Sequence, residues 1–451
     1  MKVPKYISNK ISTKSSANNH LSKPIIKIAV SGIVIGMAAM MLTIFIVKGF
    51  QKEVRDRAVA FGGHIQITKN STNNSSETLP ISSKNRNIDN LGAIDNVKRI
   101  QHFVTKNGII KTKKENEGVI LKGVGKGYDW GFIGSHILEG SLINTEKDTT
   151  EMFAMISKTT SDRLNLKCND PLIVYFILTD SLVKVSLNDK DSIVKTDSEL
   201  MNKINQMDSE ERPDTSLILK YFSKSKKFRI KAIYETGMEE FDKKIVFTSE
   251  NSLKKICLWP HGTTGAFEIL LKDFNKIDET SVEVSEVIQN DLSLSSYSIK
   301  ESNPGIFEWL DMHDTTAWII IILMIVVAVI NMVSALIILI IEKISMIGLL
   351  KAFGMRTSQI TIIFMDQAAK IILKGLLIGN ILGLLIGYFQ YQTHFFKLDQ
   401  SIYYMPFIPI KFEWLYLIYL NLGTFSVCML FMLLPCIIVA KTSPIKAIRF
   451  D

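Results

Sequence analysis

Residues able to do chemistry are plentiful in this 451-residue chain, but their spacing assembles no reaction centre. The seven histidines are scattered, and none has a second His or Cys at metal-ligand separation. Residues 122–131, KGVGKGYDWG, are glycine-rich but lack the Gly-x4-Gly-Lys-Ser/Thr spacing that cradles nucleotide phosphates. They read as a turn. No Gly-x-Ser-x-Gly elbow presents a nucleophilic serine, and no two carboxylates are marked out for acid–base work. The expectation is a chain that is not an enzyme and carries no cofactor or metal of its own.

Charge is more informative than nucleophiles. The net charge is +9, and residues 1–27 hold six lysines without one acid. Residues 342–359 and 441–451 add +2 each, which leaves −1 for everything else. Each basic segment flanks an apolar run, the bias that orients spans in a bilayer, so nucleic acid is not needed as a partner. Both termini and residues 342–360 are therefore expected on the cytoplasmic side.

The apolar runs predict spans at 25–47, 317–341, 361–389 and 414–440, each long enough for a ~30 Å hydrocarbon core. They separate a basic segment (1–24), an outer domain (48–316), a short cytoplasmic helix (342–360), an outer loop (390–413) and a tail (441–451). The third span includes Asp366, Lys370 and Lys374 near one face. These read as an interfacial start with snorkelling lysines, not as an ion relay. The first span has no small-residue cleavage site after it and reads as a retained anchor. Outside, HIQIT, GIIKTK, GVILKGV, PLIVYFIL, FRIKAIYE and KIVFTS read as strands with helices between them. The fold class is an α-helical four-span bundle with a large extracytoplasmic α+β domain inserted between spans 1 and 2. Residues 179–227, acid- and serine-rich with little periodicity, interrupt that domain as an insertion. Of the four cysteines, Cys168 and Cys257 lie outside and could bridge, although no spacing demands it.

Within the spans, Gly375, Gly379, Gly383 and Gly387 recur every fourth residue and strip one helix face for close packing. Gly32 and Gly36 form a shorter version in span 1. Asn331 and Ser334 put polar groups at bilayer depth in span 2. Met37, Met40, Met41, Met324 and Met332 line the first two spans, and methionine suits either a plain core or a site for varied acyl chains. In EKISMIGLLKAFGMRTSQI, Met346, Leu349, Leu350 and Phe353 form one apolar stripe. Gly354 stops the helix, and Thr357 or Ser358 can cap the next. The stripe suits a groove on a cytoplasmic partner or the membrane surface.

Several blocks, in order, resemble the permease subunit of the lipoprotein-releasing ABC transporters (LolC/LolE type), within the MacB/FtsX-like permease class. They include GIVIGMAAMMLTIFIVKGFQKEV, KAIYETGMEEFDKKIVF, KGLLIGNILGLLIGYFQ, KLDQSIYYMPFIPI and the closing SPIKAIRFD. The family pattern Glu-x4-Ile-Gly-x-Leu-Lys-Ala-x-Gly is met by Glu342, Ile347, Gly348, Leu350, Lys351, Ala352 and Gly354.

The resemblance implies a multi-pass protein of the bacterial inner membrane, paired with a second, identical or related permease subunit. Residues 342–354, including Met346, Leu349 and Phe353, would rest on a cytoplasmic ABC ATPase that holds the ATP and Mg. Lipoprotein substrates would pass from membrane lipid to a periplasmic carrier, their acyl chains held between the first and second spans of the two permease subunits. That place makes Met37, Met40, Met41, Met324, Asn331 and Met332 candidate lining. The 179–227 insertion stands where the family has a short hairpin, which in one subunit type hooks the carrier. An FtsX-like regulator of a cell-wall hydrolase and a macrolide-exporter type of efflux permease are the alternatives. The regulator type usually has a smaller outer domain, and the exporter carries its ATPase on the same chain.

Overall fold

Long apolar sequence becomes long helix here, because a backbone without water must satisfy its own N–H and C=O groups. The computed structural model describes residues 22–70, 76–112, 115–145, 151–179, 183–186, 215–218 and 221–440. Among them, four helices are long and apolar enough to cross a membrane. The chain divides into two units, one built on these helices and one comprising Arg55–Pro304 with Gln400–Tyr404. Most of the basic N-terminal segment, the C-terminal tail and residues 187–214 lie outside the described residues.

For the helix unit, α1 spans Ser22–Gly62, and its residues from Arg55 onward belong to the sheet unit. In the sheet unit, α2 is Lys158–Leu164, α3 Glu250–Cys257 and α4 Ile277–Ile288. The remaining long helices are α5 (Pro304–Glu342), α7 (Thr357–Thr393) and α8 (Trp414–Ala440), with the short α6 (Ile344–Ala352) between α5 and α7. The core of the helix unit gathers Ile33, Met37 and Phe45 of α1 with Met332 of α5, Phe364 of α7 and Met432 of α8. At depth, the side-chain amides of Asn380 on α7 and Asn421 on α8 exchange hydrogen bonds of 2.7 and 3.1 Å, so neither polar group faces hydrocarbon alone.

The sheet unit is α+β, built on one ten-stranded sheet. Its strands are β1 (Ile65–Lys69), β2 (Val97–Lys111), β3 (Asn116–Val124), β4 (Ile137–Gly140) and β5 (Phe153–Ser157). They continue with β6 (Pro171–Thr179), β7 (Tyr221–Tyr234), β8 (Ile245–Ser249), β9 (Ala266–Leu271) and β10 (Leu294–Ser298). The order is β10-β1-β9-β2-β3-β8-β5-β7-β4, with β6 pairing β7 and β2. β3 and β8 run parallel, Ile120 opposite Ile245, and helix α3 follows β8 with Ser249 as its cap, accepting from the Ser252 N–H at 3.2 Å. Val104, Leu121, Ile156, Val174, Phe228 and Val246 form the core of this unit.

One expectation changes here. Residues 179–227 are not one uniform interruption: Tyr221 pairs with Thr179, and the antiparallel ladder runs from there to Arg229 opposite Pro171. Residues Val183–Ser186 and Thr215–Ile218 form a second antiparallel pair. The strand signal is hidden by lysines and serines, of which Lys224–Lys227 alternate between half-buried and exposed. Cys168 and Cys257 are both free thiols.

The end of α1 is built into the sheet. The final turn of a helix leaves carbonyls without intrahelical donors, and Lys122 of β3 supplies one, its Nζ donating to the Phe61 carbonyl at 2.6 Å. The same ammonium pairs with buried Glu268 of β9, whose other oxygen accepts from Gln101 at 2.9 Å. Gly63 then turns the chain out of the helix at φ +66°, a left-handed conformation that favours glycine.

Candidate functional site

The glycine column of α7 meets α1. A Cβ added at Gly375 would stand 2.7 Å from Ile33 Cγ2, at Gly379 2.8 Å from Met37 Cβ, and at Gly383 2.2 Å from Met41 Cε. At Gly387 the neighbours, Phe412, Phe45 and Leu42, begin at 3.5 Å. Ile33, Met37, Met41 and Phe45 are themselves four apart, so two helical columns interlock with little more than backbone on one side. Gly32 lies under the Asn331 side chain, its added Cβ 2.8 Å from Nδ2. Gly36 is the exception to the packing expectation, since a Cβ there would meet nothing within 4 Å.

Sequence reasoning missed a further close approach. A Cβ at Gly49 would stand 2.6 Å from the Pro409 carbonyl oxygen, and the Lys411 N–H donates to the Phe45 carbonyl at 3.1 Å. The loop after α7 thus lies directly on α1. Gln390 fixes its start, donating to the Phe396 and Ile408 carbonyls at 3.2 and 3.1 Å and accepting from the Phe396 N–H at 2.9 Å.

The methionines named for an acyl cavity lie in the packed core of this chain. Met37, Met40, Met41 and Met332 are buried in the packed core, with Met324 half-buried against it. They fill space that side chains already occupy, and Asn331 covers Gly32. A cavity of about 300 Å³ lies between α1, α5 and α8. Ile44, Val47 and Lys48 line it from α1, Trp318, Ile321 and Ile325 from α5, and Tyr416, Leu420 and Thr424 from α8. Lys48 and Asp314 form an ion pair on its wall at 3.2 Å, with the Tyr416 ring centroid 5.5 Å from Nζ. No sequence rule pairs Lys48 with Asp314, which are far apart along the chain.

The stripe on α6 is split. Leu349 and Phe353 are 53% and 79% exposed, four residues apart on one face. Met346 packs against the core and Leu350 is half-buried. Ile347, expected at the partner contact, is 1% exposed and belongs to the core. Glu342, just before α6, pairs with Lys343 at 3.3 Å, and Lys351 is half-buried in the last turn. Gly354 turns the chain at φ +84°, as its helix-stopping role requires. The cap of α7 is not Thr357 or Ser358: Arg356 is the N-cap residue, and its N–H donates to the Gln359 side chain at 3.1 Å. Deeper along α7, Asp366 and Lys370 pair at 2.6 Å.

In the sheet unit, the ETG block forms a tight turn around Asp242. Its carboxylate accepts from the Thr236 N–H at 3.1 Å, the Thr236 hydroxyl at 2.7 Å and the Gly237 N–H at 3.1 Å. Burial outweighs these bonds and pushes the Asp242 pKa up to about 6. Gly237 holds φ +84° with a hypothetical Cβ 2.7 Å from the Tyr404 carbonyl oxygen, so the conformation and the neighbour both require glycine. Among the described residues, no group of three or more His, Cys, Asp or Glu side chains could hold a metal ion.

Two family models match the chain. The MacB-like periplasmic core domain covers residues 28–185, and the FtsX-like permease C-terminal domain covers residues 318–444. A LolC lipoprotein-releasing system transmembrane protein of Neisseria meningitidis is 20% identical over 97% of both chains. LolC of Xylella fastidiosa is 21% identical over 50% of this chain and 56% of that protein. The crystal structure of the periplasmic region of MacB from Actinobacillus actinomycetemcomitans aligns with 56% of this chain and 97% of that one, at 9% identity and a TM-score of 0.32.

Proposed function

We propose that this chain, a multi-pass permease of the LolC/LolE type within the FtsX-like class, is one half of an ABC transporter that lifts lipoproteins out of the inner membrane and hands them to a periplasmic carrier. The observation that carries this reading is similarity to a LolC protein along 97% of the chain. Hydrolysis takes place on a separate cytoplasmic ATPase, which binds ATP and Mg. A second permease subunit completes the pathway. The termini and α6 face the cytoplasm and the sheet unit faces the periplasm, as the basic flanks of the spans favour.

In this account, Leu349 on α6 and Phe353 at its C-cap are the apolar anchors that a groove on the ATPase takes up, since interface energy concentrates in a few such side chains. Movement of α6 is passed into α5 and α7, which flank it in sequence. The interlocked α1–α7 seam makes those two helices move as one body.

Affinity purification of the full chain from detergent-solubilised membranes tests the proposal. An ATPase subunit and acylated proteins should co-purify. Recovery of a cell-wall hydrolase without acylated proteins would favour the regulator reading instead.

A further inference from the structure

Thr424 departs from the pattern of other hydroxyl-bearing residues on these helices. Thr43, Thr315, Thr316, Ser334, Thr361 and Thr393 each donate to the carbonyl four residues earlier. That is how a helix satisfies a hydroxyl away from water. Thr424 is 1% exposed, and its hydroxyl has no hydrogen-bond partner among the described residues. Buried polar groups almost always have a partner. Thr424 lines the cavity between α1, α5 and α8, and beside it stands Gly423, where an added Cβ would meet nothing within 4 Å.

The lining also carries the Lys48–Asp314 ion pair. It carries one charge of each sign, so it suits a headgroup that does the same. Tyr416 lies beside Lys48, and Tyr416 is about 12 Å from Thr424 along α8 at the helical rise. Between the two ends the walls are apolar, with Ile321 and Leu420 on facing helices. Exposed Trp318 flanks the opening, as indole does at a membrane interface.

We propose that this cavity binds one zwitterionic phospholipid of the surrounding bilayer. Its phosphate meets Lys48, its ammonium meets Asp314, an ester carbonyl accepts from the Thr424 hydroxyl, and one acyl chain lies against Ile321 and Leu420. All the lining residues named belong to one chain. The proposal does not depend on the release reading, and a competing acylated peptide distinguishes a lipid site from the place that the family resemblance implies for substrate acyl chains.

Native mass spectrometry of the full-length, delipidated chain in detergent tests this, with phosphatidylethanolamine, phosphatidylglycerol and a tripalmitoylated cysteinyl peptide as probes. The wild type should retain one phosphatidylethanolamine about tenfold more tightly than phosphatidylglycerol, the scale of one charge-assisted contact. Gly423→Leu, whose Cβ meets nothing within 4 Å and whose added bulk enters the cavity lining, should abolish retention. Thr424→Val should weaken it about fivefold, as for one neutral hydrogen bond. Asp314→Asn should erase the preference for the zwitterion while leaving the cavity intact, an effect that a merely structural role would not produce. Equal retention of both phospholipids by the wild type would overturn the proposal. So would retention unaffected by both Thr424→Val and Asp314→Asn, even if Gly423→Leu misfolds. Displacement of the phospholipid by the acylated peptide, lost in Gly423→Leu, would assign the cavity to the substrate's anchor and overturn it as well.

Discussion

Gly379 of α7 faces Met37 of α1 so closely that a Cβ at position 379 would stand 2.8 Å from the Met37 Cβ and 2.9 Å from the Val34 carbonyl oxygen. The carbonyl cannot move without bending α1. Gly379→Leu should therefore separate the two helices and destabilise the helix unit by about 3 kcal/mol or more. Gly36→Ala, whose new methyl meets nothing within 4 Å, should change stability by less than about 0.5 kcal/mol. Thermal unfolding of the two variants in detergent, followed by tryptophan fluorescence, checks the contrast.

Gly49 supports the loop in the same manner, with the Pro409 carbonyl in place of a helix. Gly49→Val should free the segment around Pro409 and break the Lys411–Phe45 hydrogen bond. Hydrogen exchange of peptides covering residues 405–413 should speed up markedly, while peptides from β9 stay protected.

Two groups in the sheet unit titrate in opposite senses. Burial, with Arg55 and Lys98 nearby, lowers the His64 pKa from 6.5 to about 4. The unfolded chain then binds this proton before the folded one, so stability is complete above pH 6.5 and falls as pH drops towards 4, by at most about 3 kcal/mol. Asp242 is raised from 3.8 to about 6, so its ionised form opposes folding at neutral pH, and stability recovers as pH falls from 6 towards 3.8. His64→Gln should remove the acid loss, and Asp242→Asn should raise stability at pH 7 and flatten the gain below it. Melting temperatures of the three proteins at pH 7, 5.5 and 4.5 separate the two effects.

The span helices were legible because apolar length and a four-residue glycine period survive in any one-dimensional reading. Their partners were not. Nothing near Gly49 in the sequence announces Pro409, and the pairing of Lys48 with Asp314 depends on how three helices pack. In the sheet, β9 reads AFEILL and is buried at every residue, so it lacks the alternation that marks a half-exposed strand. Buried Glu268 in its middle is explained by Lys122 on β3 and Gln101 on β2. Residue type allows the methionines either a core or an acyl site, and within this chain Met37 and Met41 pack into the space that the glycine column leaves. Periodicity puts Met346 and Leu350 on one stripe with Leu349 and Phe353, because a short helix that also packs on a core has two apolar faces that spacing alone does not separate.

That division of α6 makes a sharper prediction than the stripe did. Leu349→Asp and Phe353→Asp alter exposed side chains and should leave the helix unit folded, while weakening ATPase association by about 2 kcal/mol or more each. Ile347→Asp places an unpaired charge in the core and should unfold the unit. Pull-down of the ATPase, alongside size-exclusion profiles, distinguishes the two outcomes.

The central claim is tested most directly in proteoliposomes containing the chain, its companion permease subunit and the ATPase, loaded with a fluorescent triacylated protein and supplied with the soluble carrier. The account predicts ATP-dependent appearance of the acylated protein on the carrier, lost in Leu349→Asp/Phe353→Asp while the substrate remains in the membrane. ATP hydrolysis by the intact assembly with no transfer of acylated protein to the carrier would contradict it.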